Sequence, residues 1–367
     1  MYAYDFSKIN TISIGNNAKA EYQNSIAIGY NAEATDRNQI MLGNSLCQVV
    51  TNSLSTTTLT TENLSITHGM DSDLLFNSAD VKIGGTSTKL LSNSNNVAGI
   101  KWSVTPTFTG AWTSVVYGES MFVAVGTNVI GYSMDGYNWT TLAISGTWLD
   151  VTYGKNRSSI SMFVAVGNEV SGYSYDGISW TTNVKASHWR GVTSGKHQFV
   201  AMDNNGNTSY SYDGITWNDQ VLAGGWNKVA YGDNLFVAIG LDTSAYSISG
   251  ETWTTLPLTG SWIDITYGNN KFVAIGTNVV SYADISGIEV VWSTPSTLTG
   301  TWSGITYGNN VFMAIGTNVT SYSYDGINWN TSAISGTFLS VAWGNQMFVG
   351  IGTNVKIYSN DELQLTW

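Results

Sequence analysis

Four aspartates are the first residues of this chain whose placement could do chemistry. Asp135, Asp176, Asp213 and Asp325 stand in SMDGYNW, SYDGISW, SYDGITW and SYDGINW, one acid in each copy of an SxDGxxW element. An Asp–Gly pair suits a tight hairpin turn, because the carboxylate accepts backbone N–H groups and glycine admits a positive φ. The tryptophan then packs across the strand pair. Two degenerate copies, YSISGETW and YADISGIEVVW, lose the aspartate at that place yet keep a turn and a tryptophan. A catalytic acid is not normally supplied four times, so a structural turn is the expectation.

The remaining reactive side chains are few. His68, His188 and His197 are the three histidines, and none stands in a metal-binding pair such as HExxH. Asp150 and Asp264 occupy the same place in WLDVTYG and WIDITYG. Glycoside hydrolysis needs two carboxyl groups about 5–10 Å apart, whereas these acids lie three repeats apart, and solvated channel residues are expected instead. No catalytic set, metal or cofactor is expected, and the chain reads as a non-enzyme.

What positions these residues is a repeat. The cleanest copy, WSGITYGNNVFMAIGTNVTSYSYDGINW, runs from Trp302 to Trp329. Leading aromatics recur at Trp112, Trp148, Trp189, Trp226, Trp262, Trp302 and Phe338, with spacings of 36, 41, 37, 36, 40 and 36 residues. Each copy holds short runs rich in Val, Ile, Tyr and Phe, punctuated by Gly, Asn and Asp, with no sustained helical period. Four antiparallel strands per repeat of about 40 residues predict a propeller blade. The fold class expected is therefore all-β: a seven-bladed β-propeller over 101–367, preceded by a short trimeric β-roll and a neck. The segment WSVTPTFTG after Trp102 has the character of a fourth strand without a blade, and the last copy lacks its fourth strand. Strand 101–109 is predicted to close the ring there, leaving no free sheet edge.

The SxDGxxW element resembles the Asp-box of sialidase-type and related propellers, although it is one residue shorter than the usual spacing. Sialidases bind their substrate carboxylate with three arginines. This chain has three in all, Arg37, Arg157 and Arg190, of which two lie in the propeller. The sialidase reading fails on that count.

A second period precedes the propeller. Gly15, Gly29 and Gly43 are spaced by 14, in SIGNNA, AIGYNA and MLGNSL. About three such coils cannot bury their own apolar side without stacked neighbours, so association with other copies of the chain is expected. The text TISIGNNAKAEYQNSIAIGYNAEATDRNQIMLGNS resembles the head repeats of trimeric autotransporter adhesins, which also occur in phage and large-virus fibre proteins. That resemblance implies three chains wound as a left-handed β-roll over 1–46, with a Ser/Thr/Asn-rich neck over 47–100 and a homotrimer held through residues 1–100.

Composition bounds the partners. Charged residues are only 11% and the net charge is −11, so a basic nucleic-acid face is missing. No apolar run approaches the ~20 residues of a membrane-spanning helix, and no membrane insertion is expected. Cys47 is single. MYAYDFSKIN lacks the charged and apolar regions of a secretory signal, which implies another export route or release inside a particle.

In a propeller the blade joins and the second-to-third-strand loops share one face, here called the joining face. The first-to-second and third-to-fourth turns share the other, the turn face. The joining face carries the constant features, while the insertion Lys155–Ser161 and the ADISGIEVVW expansion fall on the turn face. A ring of Trp112, Trp148, Trp189, Trp226, Trp262 and Trp302, with Asn128, Asn278, Asn318 and Asn354 nearby, is the expected ligand surface. Aromatic plates beside amides suit a neutral sugar; the bland alternative is that the tryptophans plug the seams between blades. The sequence thus reads as a trimeric surface fibre or spike, on a virion or otherwise extracellular, attaching to a host surface glycan or receptor. The alternatives are a structural decoration packed on other virion proteins and, less favoured, a glycan-processing enzyme.

Overall fold

A computed structural model describes residues 11–14, 17–20, 25–28, 33–34, 40–42, 81–83, 86–88, 102–105, 108–287 and 289–360. Every regular element among them is a β-strand. The chain divides into two compact units, Met1–Asn77 and Ser78–Trp367.

In the N-terminal unit, Ile12–Ile14, Ile26–Ile28 and Ile40–Leu42 form a three-stranded parallel sheet. Ile12 pairs with Ile26 and Ile26 with Ile40, so the 14-residue period of the sequence is the register of the sheet. Lys19–Ala20 and Glu33–Ala34 repeat the step in a second parallel pair. Small residues are buried (Ala20, Ser25 and Ala27), whereas Ile12, Ile14 and Ile28 are 46, 56 and 38% exposed. The expected neck falls outside the described residues except for one hairpin, Val81–Ile83 with Thr86–Thr88. Cys47, Arg37 and His68 also fall outside them.

Each leading aromatic of the second unit heads an antiparallel group of four strands, the outer place in the Trp262 group being shared by Glu289–Trp292 and Ser296–Thr297, and the groups make a β-propeller. In the Trp112 group the strands Trp112–Gly118, Met121–Gly126, Val129–Ser133 and Thr140–Leu142 pair in succession. The second strands Met121–Gly126 (MFVAVG) and Gln198–Asp203 (QFVAMD) are buried at every position. Each group is sandwiched between two others, so both faces of this strand need apolar side chains and the polar alternation of a half-solvated sheet is lost. Val123 and Val125, for example, share a cluster with Trp148 and Phe163 of the next group.

The predicted closure is present. Ser103–Thr105 pairs antiparallel with Lys356–Tyr358 as the fourth strand of the Phe338 group. Across the same seam the Ser340 hydroxyl accepts the Val115 N–H at 3.2 Å. Trp112, Val115 and Phe122 share a buried cluster with Met347, Val349 and Ile351.

Two local devices set the spacing of the groups. One residue past each leading aromatic the register shifts, as between Trp148 and Asp150 or Trp262 and Asp264, and such a bulge bends the strand. At the opposite end, in every group but that of Trp189, an aromatic ring lies on the glycine that ends the innermost strand of the group before it. A Cβ on Gly118 would fall 2.1 Å from the Tyr153 ring, and one on Gly268 2.0 Å from Tyr307. Only glycine permits that approach.

Candidate functional site

The expected ligand ring does not open to solvent. Trp112, Trp148, Trp226 and Trp262 are 0% exposed, and Trp189 and Trp302 are 1% exposed. None can offer a face to a sugar, and the expectation of an aromatic plate is corrected. The cause is the join itself. The glycine two residues ahead of the aromatic takes a left-handed φ, +137° at Gly260 and +154° at Gly300, and lies against the indole: a Cβ on Gly300 would fall 2.8 Å from the Trp302 ring. The indole N–H then donates inward, from Trp226 to the Leu222 carbonyl at 2.9 Å, from Trp262 to Leu258 and from Trp302 to Leu298, both at 2.8 Å. The tryptophans plug the seams.

The four asparagines are exposed but engaged. Each sits at a positive φ, between 56° and 58°. The Oδ1 of Asn128, Asn278, Asn318 and Asn354 accepts the N–H of Gly146, Gly300, Gly336 and Gly110 at 3.1, 2.9, 3.0 and 3.0 Å. In return the Asn128 and Asn354 N–H groups donate to the carbonyls of Gly146 and Gly110 at 2.7 and 2.9 Å. This is a two-way latch between a second-to-third loop and the following join. Asp242 takes the same place toward Gly260. The residues expected to bind sugar are thus the fastening of the joining face.

The SxDGxxW aspartates hold turns. Asp325 accepts the N–H groups of Ile327 and Asn328, the Asn328 side-chain amide and the Ser323 hydroxyl, all within 2.9 Å. Asp135 and Asp176 repeat the pattern. Burial acts to raise the Asp325 carboxyl, but these donors overcome it and hold the group at about 2. The degenerate YSISGETW copy keeps the rest of the device. Its Gly250 N–H donates to the Ser247 hydroxyl, and the Trp253 indole donates to the Gly250 carbonyl.

The innermost strands bring together a charge cluster that the sequence reading missed in part. Asp150, Lys228 and Asp264 occupy the same strand position in the Trp148, Trp226 and Trp262 groups. Asp150 is not a solvated channel residue, as expected, but buried. Its Oδ1 lies 2.7 Å from the Lys228 Nζ and accepts the Ser114 hydroxyl at 2.7 Å, while Oδ2 accepts the Val192 N–H at 2.9 Å. Asp264 is half-buried and takes the N–H groups of Ile265 and Ile305 at 2.9 and 2.8 Å. Burial pushes the Asp264 carboxyl up to about 6 despite the pull of Lys228 and these donors, with the Asp150 charge adding to the rise. Burial acts to lower the Lys228 ammonium, but the two carboxylates outweigh it and raise it. Lys228 reaches Asp150 by crossing the Trp189 group at Gly191, where a Cβ would fall 3.0 Å from the Lys228 Cα. The signal was legible as WNKVAYG beside WLDVTYG and WIDITYG: one cation set among two anions at a shared register. Ion pairing of this kind fixes the innermost strands; the two acids do not form a free catalytic pair.

Residues 7–32 match the YadA head domain repeat, in two copies, overlapping the stretch whose 14-residue register is seen in the sheet. Comparison with curated proteins found no match. Among solved structures, YCF48 from Cyanidioschyzon merolae aligns with a TM-score of 0.56 at 14% identity, over 72% of this chain and 98% of that one. A structure described as YCF48 bound to D1 peptide gives 0.58 at 14% identity, over 72% and 96%. The WD40 β-propeller domain of Doa1 gives 0.56 at 10% identity, over 69% and 94%. At these identities the likeness carries the fold: the second unit is a β-propeller, and the chain's N-terminus carries adhesin-type head repeats.

Proposed function

We propose that this chain is a homotrimeric surface attachment protein: an N-terminal three-chain β-roll over 1–46 and a neck over 47–100 carrying a closed, seven-bladed propeller that meets the partner surface. The observation that carries the reading is the parallel sheet at 14-residue register with Ile12, Ile14 and Ile28 outside and alanines inside. An apolar stripe on so small a sheet marks an interaction surface, and the YadA head match supports identical chains as its cover. Three propellers on one stalk would multiply weak contacts into avidity, which suits attachment, at a virion or other extracellular surface, to a host glycan or receptor. Binding, not catalysis, is the role assigned to the propeller.

The test begins with the mass of the purified full-length chain by light scattering. A particle of three 39.6 kDa chains, reduced to single chains by Ile14→Asp with Ile28→Asp, is the expected result. The assembled protein is then screened against arrayed glycans and intact cells. A wild-type monomer would remove the basis of the proposal, and an assembled trimer that retains nothing would leave a structural berth among other particle proteins as the better reading.

A further inference from the structure

The repeat is broken three times in one place. First, the aromatic that covers the preceding glycine is Tyr117, Tyr153, Tyr231, Tyr267, Tyr307 or Trp343 in six groups, but Ser194 in the Trp189 group. Gly154 is therefore covered by a hydroxymethyl where Gly195, for example, is covered by the whole Tyr231 ring, and a ring's volume is missing. Second, the adjoining first-to-second turn is lengthened from two residues to the loop that begins at Lys155. This loop is built rather than slack: the buried Asn156 Oδ1 accepts the N–H groups of Ser158 and Ile160 at 3.0 Å. The Arg157 N–H donates to the Tyr212 carbonyl at 2.8 Å, and its guanidinium stacks 4.5 Å from the Tyr212 ring. Third, the turn of the Trp189 group reads Lys196-His197, where the other two-residue turns read Glu-Ser, Asp-Asn, Asn-Asn, Asn-Asn and Asn-Gln.

Where these three departures meet, a pocket of about 560 Å³ opens on the turn face, lined by Lys155, Ser194, Lys196, His197, Tyr231 and Asn234 among others. It is an open cleft and not an enclosed cavity. Its cations are conspicuous in a chain of net charge −11 with 14 Lys and Arg in all. Among the described residues no ion pair involves Lys155, Arg157, Lys196 or His197. The nearby acids Glu119 and Glu251 accept the hydroxyls of Tyr153 and Tyr212, and Asp233 shares the turn of Asn234. The Lys196 ammonium donates to the Ile248 carbonyl at 2.8 Å. The Ser194 hydroxyl donates to the Tyr153 carbonyl at 2.8 Å, leaving its oxygen to accept.

We propose that this pocket binds the carboxylate or sulfate group of an acidic saccharide. Lys155 and Lys196 supply the charge, and His197 adds a ring N–H donor for the anion. The Tyr231 ring offers an apolar surface to the sugar, and Asn234 and Ser194 meet its hydroxyls. The walls are turns and strand ends, which favours a compact sugar over an extended peptide that would need a strand edge. The assignment rests on the attachment reading and names its ligand class, on the face opposite to the ring of tryptophans.

Titration calorimetry on the full-length protein with 3′-sialyllactose, a heparin-derived sulfated disaccharide and lactose tests it. Saturable binding of at least one acidic sugar, none of lactose, and weakening in higher salt are expected. Ser194→Tyr, which restores the ring used elsewhere, should weaken that binding at least tenfold. Lys155→Glu with Lys196→Glu, on exposed side chains, should abolish it with the melting temperature unchanged. Absence of acidic-sugar binding, equal binding of lactose, binding untouched by both folded variants, or preference for a phosphopeptide over both acidic sugars would each overturn the assignment. Cell-surface retention is read separately. If it survives the double lysine variant, attachment runs through another surface; if the wild type is never retained, attachment falls; in both cases the titration decides the pocket.

Discussion

The Lys228 ammonium and the Asp150 carboxylate lie 2.7 Å apart although the groups that carry them are separated by a third. That reach is possible only near the axis, and only because Gly191 puts no side chain in the way. The pair ties alternate innermost strands together, with Asp264 as a second anion held by the Ile265 and Ile305 N–H groups.

Removing the cation should therefore be costly in a pH-dependent way. Lys228→Met leaves two carboxylates without their counter-charge, a loss of about 3 kcal/mol at neutral pH. Asp264 titrates near 6 in the fold against an ordinary 3.8. Its contribution is thus favourable below about pH 4 and is lost as the pH rises through 6. Without Lys228 the carboxyl rises further, so the deficit of the variant should shrink as the pH falls from 7 to about 4. Denaturant midpoints across that range check this; a deficit independent of pH would refute the electrostatic account.

Acid should act in the opposite sense on the hairpin turns. Asp325 is held at about 2, below its ordinary value, so its stabilisation is complete above about pH 4 and is lost as the pH falls through 2. Asp325→Ala is expected to cost about 1–2 kcal/mol at pH 7 and nothing further near pH 2. Guanidinium unfolding at the two pH values decides it.

The latches separate two effects by substitution. Asn318 combines a φ of 56° with an acceptor for the Gly336 N–H. Asn318→Gly should lose only the hydrogen bond, about 1 kcal/mol. Asn318→Ala should lose that and add left-handed strain, about 1 kcal/mol more. Equal melting temperatures for the two variants would show that the backbone at this loop is not constrained.

Trp262→Ala should behave as a core truncation. The side chain is wholly buried and its indole donates to the Leu258 carbonyl, so a loss of about 3–5 kcal/mol is expected. Any binding defect should track the unfolded fraction in a thermal melt. A variant that kept its melting temperature while losing a ligand would return the joining face to consideration.

Periodicity carried most of the fold. The leading aromatics located the strands, the short run after Trp102 located the closing strand, and the glycines at 15, 29 and 43 gave the register of the N-terminal sheet. The site was less legible, for a physical reason. An aromatic recurring in every copy signals packing as readily as binding, and its burial is decided by the neighbouring groups that close over it, which a period alone does not show. Asp150 was legible as a channel residue but not as an ion-paired one, because its partner lies two groups away across Gly191. The turn-face pocket was half visible in the Lys155–Ser161 insertion; its other half was an absence, Ser194 where a tyrosine stands elsewhere.

The strand that closes the propeller is also the first of the propeller's strands in sequence. Ser103–Thr105 holds its place by three residue pairs with Lys356–Tyr358. Any tension carried along the chain between the two units enters the propeller at that short strand. Were the chain pulled from its N-terminal side, the seam this strand closes would be the first part of the propeller to carry the load. Under load, the lifetime of a tethered propeller is set by the rate at which this strand peels, a kinetic quantity, and not by the depth of the tryptophan-filled core behind it.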